Sequence, residues 1–326
     1  MQFFRDHLTD VIKDHPFFSI LFDYVKVQKE RIQPSEKGES TGIQVDIEEI
    51  LFAATDLEDT LRRFGTDHIA RFASHHTKFQ QFGSYAHNLT SPLSNAHSQL
   101  TAFINLVNAR IHDVYSTVPT QQELEKNWLP LLRCLDTAYD RIDIFTTNYD
   151  LVIETAIQRA GLNLSLGRST IGYDTLDLPM WGNSGDDSTM SGLLTKLHAS
   201  LNWTWGDDER TRVDIGSPRH VHSDRQVAIY PGYKGEPTRE PFRRFHSYLE
   251  NRLRQADSVI FIGFAFRDQY LNRVFGRALQ PASQRIVVVD PALNEDRLPF
   301  EFANGALMQL GFAEAMPDVC TAVGRP

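Results

Sequence analysis

Two textures of hydrophobic spacing divide the chain. In the first part, apolar residues recur at three- and four-residue steps. Along "NAHSQLTAFINLVNARIHDVY", Leu100, Phe103, Ile104, Val107, Ile111 and Val114 share one face, which predicts an amphipathic helix with Asn95 or Ser98 placed to cap its start. "VDIEEILFAATDLEDTLRRF" predicts another through Ile47, Ile50, Leu51, Leu57 and Leu61. "QPSEKGESTG", residues 33–42, reads as a polar loop. From about residue 140 short runs rich in Val, Ile and Phe take over: "IDIFTTN", "GLLTKLHAS", "QVAIYP", "SVIFIGFAF" and "RIVVVDP". Near-continuous apolarity of this length suits strands covered on both faces, as in a parallel sheet.

Helical segments alternate with some of these runs. "LVIETAIQRAG" follows the first and ends in Gly161, a suitable C-cap. "PFRRFHSYLENRLRQA" precedes the fourth, starts with a proline suited to a first turn, and carries Phe242, Phe245, Leu249 and Leu253 as a core stripe. The alternation predicts an α/β fold, doubly wound, with a mostly helical region over 1–139 and the sheet-bearing core over 140–326. "WGNSGDDSTMSG", residues 181–192, reads as a mobile loop.

Ligands of open α/β sheets bind beyond the carboxyl ends of the strands. The polar residues there are Thr146, Thr147, Asn148 and Asp150, then His198 and Ser200, then Arg267 and Asp268, and finally Asp290. Their convergence on one rim is the reason to expect a site. Taken alone, His198 reads first as a hydrogen-bonded core histidine, Asn148 and Asp150 equally as a helix cap, and Asp290 with Pro291 also as a turn. Arg267 and Asp268 read as a local structural pair or an interface. His220 and His222 have metal-like spacing without a third ligand, and with the paired His75 and His76 they read as solvated loops.

Composition narrows the class. Charged residues are 23% and apolar residues 41% of the 326, ordinary for a globular protein. No apolar run reaches the roughly 18 residues of a membrane span, and the charged start "MQFFRDHLTDVIKDH" is not a signal peptide. The net charge of −9 argues against broad nucleic-acid binding. Two cysteines, Cys134 and Cys320, suggest neither a disulfide framework nor a four-cysteine zinc site, and point to the cytoplasm.

"TTNYD" (146–150), "KLHASLNW" (196–203), "ADSVIFIGFAFRD" (256–268) and "IVVVDP" (286–291), in this order, resemble the signature of sirtuin-like proteins. The zinc-free, mainly bacterial branch is the most similar. The resemblance implies a Rossmann-like parallel sheet flanked by helices, with NAD as substrate and no zinc. It implies His198 as general base, Asn148 at the water or ribose hydroxyls, and Asp150 at the nicotinamide carboxamide. Thr146, Thr147, Tyr149, Gly263, Phe264 and Asp290 would then bind the dinucleotide, Gly263 by close backbone approach and Asp290 through a ribose hydroxyl. The reaction expected is hydrolysis of NAD to nicotinamide and ADP-ribose, in an antiviral-defence effector that acts as a homo-oligomer or with a partner protein. The helical first part would be a lid or an oligomer surface of the same sirtuin-like unit.

Three departures stand against this. The family's Gly-Ala-Gly-type phosphate loop, expected after an opening strand, is not found before residue 140, and "FGSYAHN" (82–88) follows no apolar strand. The natural start then lies upstream, or the loop is lost and the chain is an impaired nucleotide-binding or assembly module. Ala199 stands where glycine usually follows the histidine, and Ala265 where a serine is usual. An ADP-ribosyltransferase is a third reading, lacking an identifiable acceptor groove.

Overall fold

The computed structural model describes residues 21–27, 49–51, 53–55, 57–58, 94–167, 176, 191–205, 213–215, 226–228, 237, 240–293, 295–301 and 304–323. The loops at 33–42 and 181–190, the segment 82–88, the histidines at 75, 76, 220 and 222, and Ile47 and Leu61 lie outside them. The chain forms two compact units, residues 1–114 with 229–233, and residues 115–228 with 234–326.

In the first unit the described parts are helical, as the three-and-four spacing predicts. Helix α1, Ser94–Tyr115, buries Leu100, Phe103, Ile104 and Val107. It includes Ser94, so both Asn95 and Ser98 lie inside its first turns rather than at the cap. Residues 49–51, 53–55 and 57–58 are helical, with Ile50 and Leu51 buried. Thr101 Oγ1 donates to Glu58 Oε1 at 2.6 Å and ties the two segments together.

The second unit is mixed α/β. Helix α2, Gln121–Glu123, opens with a capping box from Thr120 and runs through a wider turn, Leu124–Trp128, into α3, Leu129–Ala138. In that turn the Leu129 N–H reaches back five residues to Leu124 O. Pro130 follows and has no N–H of its own, so the ladder is interrupted where the helix changes winding.

Two parallel sheets carry the rest. Strand β1, Ile144–Thr146, pairs with β2, Leu194–Lys196, in the register Ile144↔Leu194 and Thr146↔Lys196. Strand β6, Ser258–Ile262, pairs with β7, Arg285–Val289, and β7 with β8, Gly305–Met308. Ile286, Val287, Val288 and Val289 are each at most 1% exposed, as the unbroken apolar run requires. Helix α3 serves both sheets. Leu129 and Leu132 join Ile142, Ile153 and Leu194 in one core, while Leu131 joins Val287, Val289, Met316 and Val319 in another. Each buried leucine there contributes about 1.5–3 kcal/mol.

A third sheet corrects one expectation. The run "QVAIYP" does not join a parallel sheet. Its strand β5, Gln226–Ala228, pairs antiparallel with β3, Ala199–Trp205, whose other edge carries β4, Val213–Ile215. An apolar stretch this short is equally at home in a meander, and apolarity by itself does not set strand direction.

Helix α4, Val152–Ala160, ends at Gly161 with φ +70°, the left-handed cap its sequence predicts. Helix α5, Phe242–Gln255, follows Pro241 and buries Phe242, Phe245, Leu249 and Leu253. Gln284 donates its amide to the Leu253 and Ala256 carbonyls and so satisfies the end of α5. Asp143, just ahead of β1, receives Tyr248 at 2.7 Å, Arg252 at 2.7 Å and Arg141 at 2.9 Å, which pins α5 to the start of that strand. Burial, with the Asp143 charge beside it, pushes the Tyr248 phenol up to about 12. Helices α6, Gln269–Ala278, and α7, Phe312–Val323, complete the unit. Cys134 and Cys320 are free thiols brought together between α3 and α7, and burial with the neighbouring thiol pushes Cys134 up to about 12.

Gly192 is the tightest backbone approach in the β1–β2 pair. A Cβ there would lie 1.7 Å from the Ile142 carbonyl oxygen, at a backbone φ of +148°. Neither atom belongs to a movable side chain, so Gly192→Ala must part the strands. Urea unfolding of this variant is expected to show a loss of at least about 3 kcal/mol; a loss below about 1 kcal/mol would mean that the strands are not this close.

Candidate active site

The site begins where β1 and β2 end. Thr146 O accepts the Leu197 N–H at 2.8 Å and Thr146 Oγ1 accepts the Asn148 N–H at 3.1 Å, so the chain turns sharply beyond β1. Thr147 is half-buried and Asn148 is exposed. Tyr149 turns inward, 5% exposed, with its ring edge-on to Tyr115 at 6.3 Å, and its carbonyl accepts the Leu201 N–H at 2.9 Å. Asp150 Oδ1 accepts the Val152 N–H at 2.9 Å, a local turn one residue ahead of Leu151, which is the N-cap of α4 in place of the expected Asp150.

One buried cation binds this loop to β2. Lys196, with 3% of its side chain exposed, points its ammonium at the loop carbonyls instead of at solvent. It donates to Asp150 O, to Tyr149 O at 3.3 Å, to Ser200 Oγ at 3.1 Å and to Glu154 Oε1 at 2.9 Å. Two carbonyls, a hydroxyl and a carboxylate replace its hydration shell, which is what a lysine needs in order to be buried charged. Sequence reading passes over this residue. The only trace is a lysine inside an apolar strand run, where an exposed position is not available.

His198 stands two residues on, in the turn between β2 and β3, and is 5% exposed. The chain there leaves the parallel sheet and enters the antiparallel one. Ala199 takes φ +92°, a conformation that favours glycine, which accounts for the glycine usual at this place. Nε2 of His198 lies 3.5 Å from Asp268 Oδ2. Asp268 comes from the far side of the rim, after β6, and its Oδ1 accepts the Tyr270 and Leu271 N–H groups at the start of α6. The carboxyl-side loops of the two parallel sheets therefore meet at His198 and Asp268.

The remaining predicted residues divide. Gly263 has φ +62° and is exposed, and nothing lies within 4 Å of where a Cβ would be. Its N–H donates to Val289 O at 2.8 Å, so what is open at this glycine is the Cα face. Asp290 Oδ1 accepts the Ala292 N–H at 2.8 Å, the turn that its neighbouring proline suggests. Phe264 packs with Phe261, Phe266 and Phe275 at ring distances of 5.0–6.4 Å, so its side chain belongs to an aromatic cluster. A cavity of about 120 Å³ lies against Leu151, Glu154, Gln158, Lys196, Asn202 and Trp203; none of the candidate residues line it. Among the described residues no three His, Cys, Asp or Glu side chains are grouped to hold a metal ion, and no described helix is long and apolar enough to cross a membrane.

Replacing Lys196 by Met removes the ammonium but leaves Glu154 and two loop carbonyls facing apolar surface. Denaturant unfolding is expected to show a loss of about 3–5 kcal/mol. Lys196→Met with Glu154→Gln should lose clearly less than the single variant, since the stranded charge is gone. A single-variant loss under about 1 kcal/mol would show that the ammonium does not hold the loop.

Comparison with known proteins finds one family. Residues 143–304 match the family of the SIR2-like domain. No curated protein matches the chain. The match begins at the aspartate that precedes β1 and ends just ahead of β8. The part of the chain that carries every candidate residue is thus similar to a SIR2-like domain.

Proposed function

We propose that the chain is an NAD glycohydrolase that cleaves NAD to nicotinamide and ADP-ribose on a Rossmann-like SIR2-type core. One observation carries this reading. The loop bearing Asn148 and the strand that leads into the His198 turn are fixed to each other by the buried Lys196 ammonium, with His198 facing Asp268, the N-cap of α6. Without that tie, an exposed asparagine and a buried histidine from separate segments have no reason to share a reacting centre.

The chemistry suits these groups. The bond from the ribose carbon to the nicotinamide nitrogen breaks with its electron pair going to the pyridinium, which becomes neutral. No acid is needed to release it. The ribosyl cation left behind is stabilised by nearby carboxylate and amide dipoles. Water held by Asn148 adds to the cation, and His198 accepts the proton that the water loses. The open left-handed backbone at Gly263 is a place for phosphate or ribose to approach. A four-cysteine zinc module cannot be built from two cysteines, so protein deacylation of the zinc-dependent kind is not the proposal. Depletion of NAD in antiviral defence, by a homo-oligomer or with a partner protein, is the biological role that fits this activity.

A second reading is a nucleotide-binding or assembly module without turnover. It is favoured by Asp150 and Asp290, each of which has a carboxylate oxygen engaged by its own following backbone. Nicotinamide release from NAD decides between the two. Release is expected from the purified protein and should fall at least about 100-fold in His198→Ala and in Asn148→Ala, with melting temperatures close to that of the parent. No release, or release unchanged by either substitution, would reject the hydrolase.

A further inference from the structure

We infer that Asp268 is the positioning residue for His198, holding the imidazole with its proton on Nε2 and its basic lone pair on Nδ1. The inference rests on the reading of His198 as the base, and adds a residue and a tautomer to it.

Four observations carry it. The Asp268 carboxylate has its two oxygens committed in different directions, Oδ1 to the Tyr270 and Leu271 N–H groups at 2.9 Å each, and Oδ2 to the His198 ring at 3.5 Å. The cap sets the rotation of the carboxylate, so Oδ2 is aimed before any substrate arrives. Both side chains are sheltered, 6% and 12% exposed, where a carboxylate acts on an imidazole with little screening. Finally, the backbone is bent at both ends of the pair. Among the described residues the non-glycine positions with positive φ are Ala199 at +92° and Phe266 at +50°, one just after His198 and the other two before Asp268. Asn272 Nδ2 donates to Phe266 O at 2.8 Å and holds the second bend. Strained backbone persists where its surroundings enforce it, and here both instances serve to turn these two side chains toward each other.

The separation of 3.5 Å is longer than an ordinary hydrogen bond. Contacts of this kind are often long before substrate binds and tighten during reaction. A carboxylate cannot donate, so the ring nitrogen that faces it is the one that carries hydrogen. As the imidazole takes the proton from water, the same carboxylate stabilises the imidazolium. Arg267, which precedes Asp268 in the chain, is exposed.

Asp268→Asn tests the inference cleanly, because asparagine caps a helix as well as aspartate does. Its amide oxygen is kept by the Tyr270 and Leu271 N–H groups, and its NH₂ then faces His198. The ring must accept there and move its proton to Nδ1. Two readouts are taken on the full-length protein. Nitrogen-15 NMR of the histidine rings, with the His198 signal identified by its loss in His198→Gln, should show a protonated Nε2 in the parent and a protonated Nδ1 in Asp268→Asn. Nicotinamide release should show kcat lowered about 100-fold or more in the variant, with KM within about twofold and the melting temperature unchanged. An identical His198 ring spectrum in parent and variant overturns the pairing, and does so even if the parent releases no nicotinamide. A changed spectrum with an unchanged kcat overturns the positioning role. If the parent proves inactive, the hydrolase reading fails while the ring spectrum alone decides whether Asp268 sets the tautomer.

Discussion

The Lys196 ammonium is the contact on which the candidate site depends. It lies in a strand whose side chains have no route to solvent, and its partners come from the loop after β1, from α4 and from β3. A desolvated cation with fewer partners would cost several kcal/mol. The loop carbonyls of Tyr149 and Asp150 therefore have to point at β2, and Asn148, just before them, has to sit at the rim. Ser200 Oγ belongs to the same set and lies two residues beyond His198, so the turn that carries the imidazole is tied to the same charge.

Helix α3 provides the second constraint. One face packs on the sheet of β1 and β2, the other on the sheet of β6, β7 and β8. Among the described residues the two sheets share no ladder, yet their carboxyl-side loops meet through His198 and Asp268. A helix that belongs to both cores and a histidine–carboxylate contact between the two rims bring the candidate residues of the two sheets together. Asp143 supports this from the amino end, where two arginines and the Tyr248 hydroxyl hold α5 against β1.

Much of this was legible in the chain, for physical reasons that differ from element to element. The strand Arg285–Val289 announces itself because a strand covered on both faces has no room for alternation. Helix α4 does so through its spacing and its terminal glycine. The place of His198 at a strand end was legible from the apolar run that stops before it, and the special backbone after it from the glycine that Ala199 replaces. The direction of β5 was not legible, since a three-residue strand has the same pattern in either orientation. Nor was the fate of Lys196, whose partner carbonyl at Asp150 lies 46 positions earlier. Backbone carbonyls are the same in every residue, so no letter marks them as acceptors. Asp268 is half legible. An aspartate ahead of "QYLNRVF" reads as a cap, but its second oxygen meets a histidine from another strand. The packing of Phe264 was not legible either, because a motif position and an aromatic core position carry the same letter.

The most direct measurement is the crystal structure of the protein with NAD bound to its His198→Ala variant. The account predicts the nicotinamide ribose at the rim between β1 and β2, its reacting carbon within about 4 Å of a water on Asn148, and its phosphates against the backbone at Gly263. NAD bound with its nicotinamide ribose away from Asn148 and position 198, or no NAD bound under saturating conditions, would contradict it.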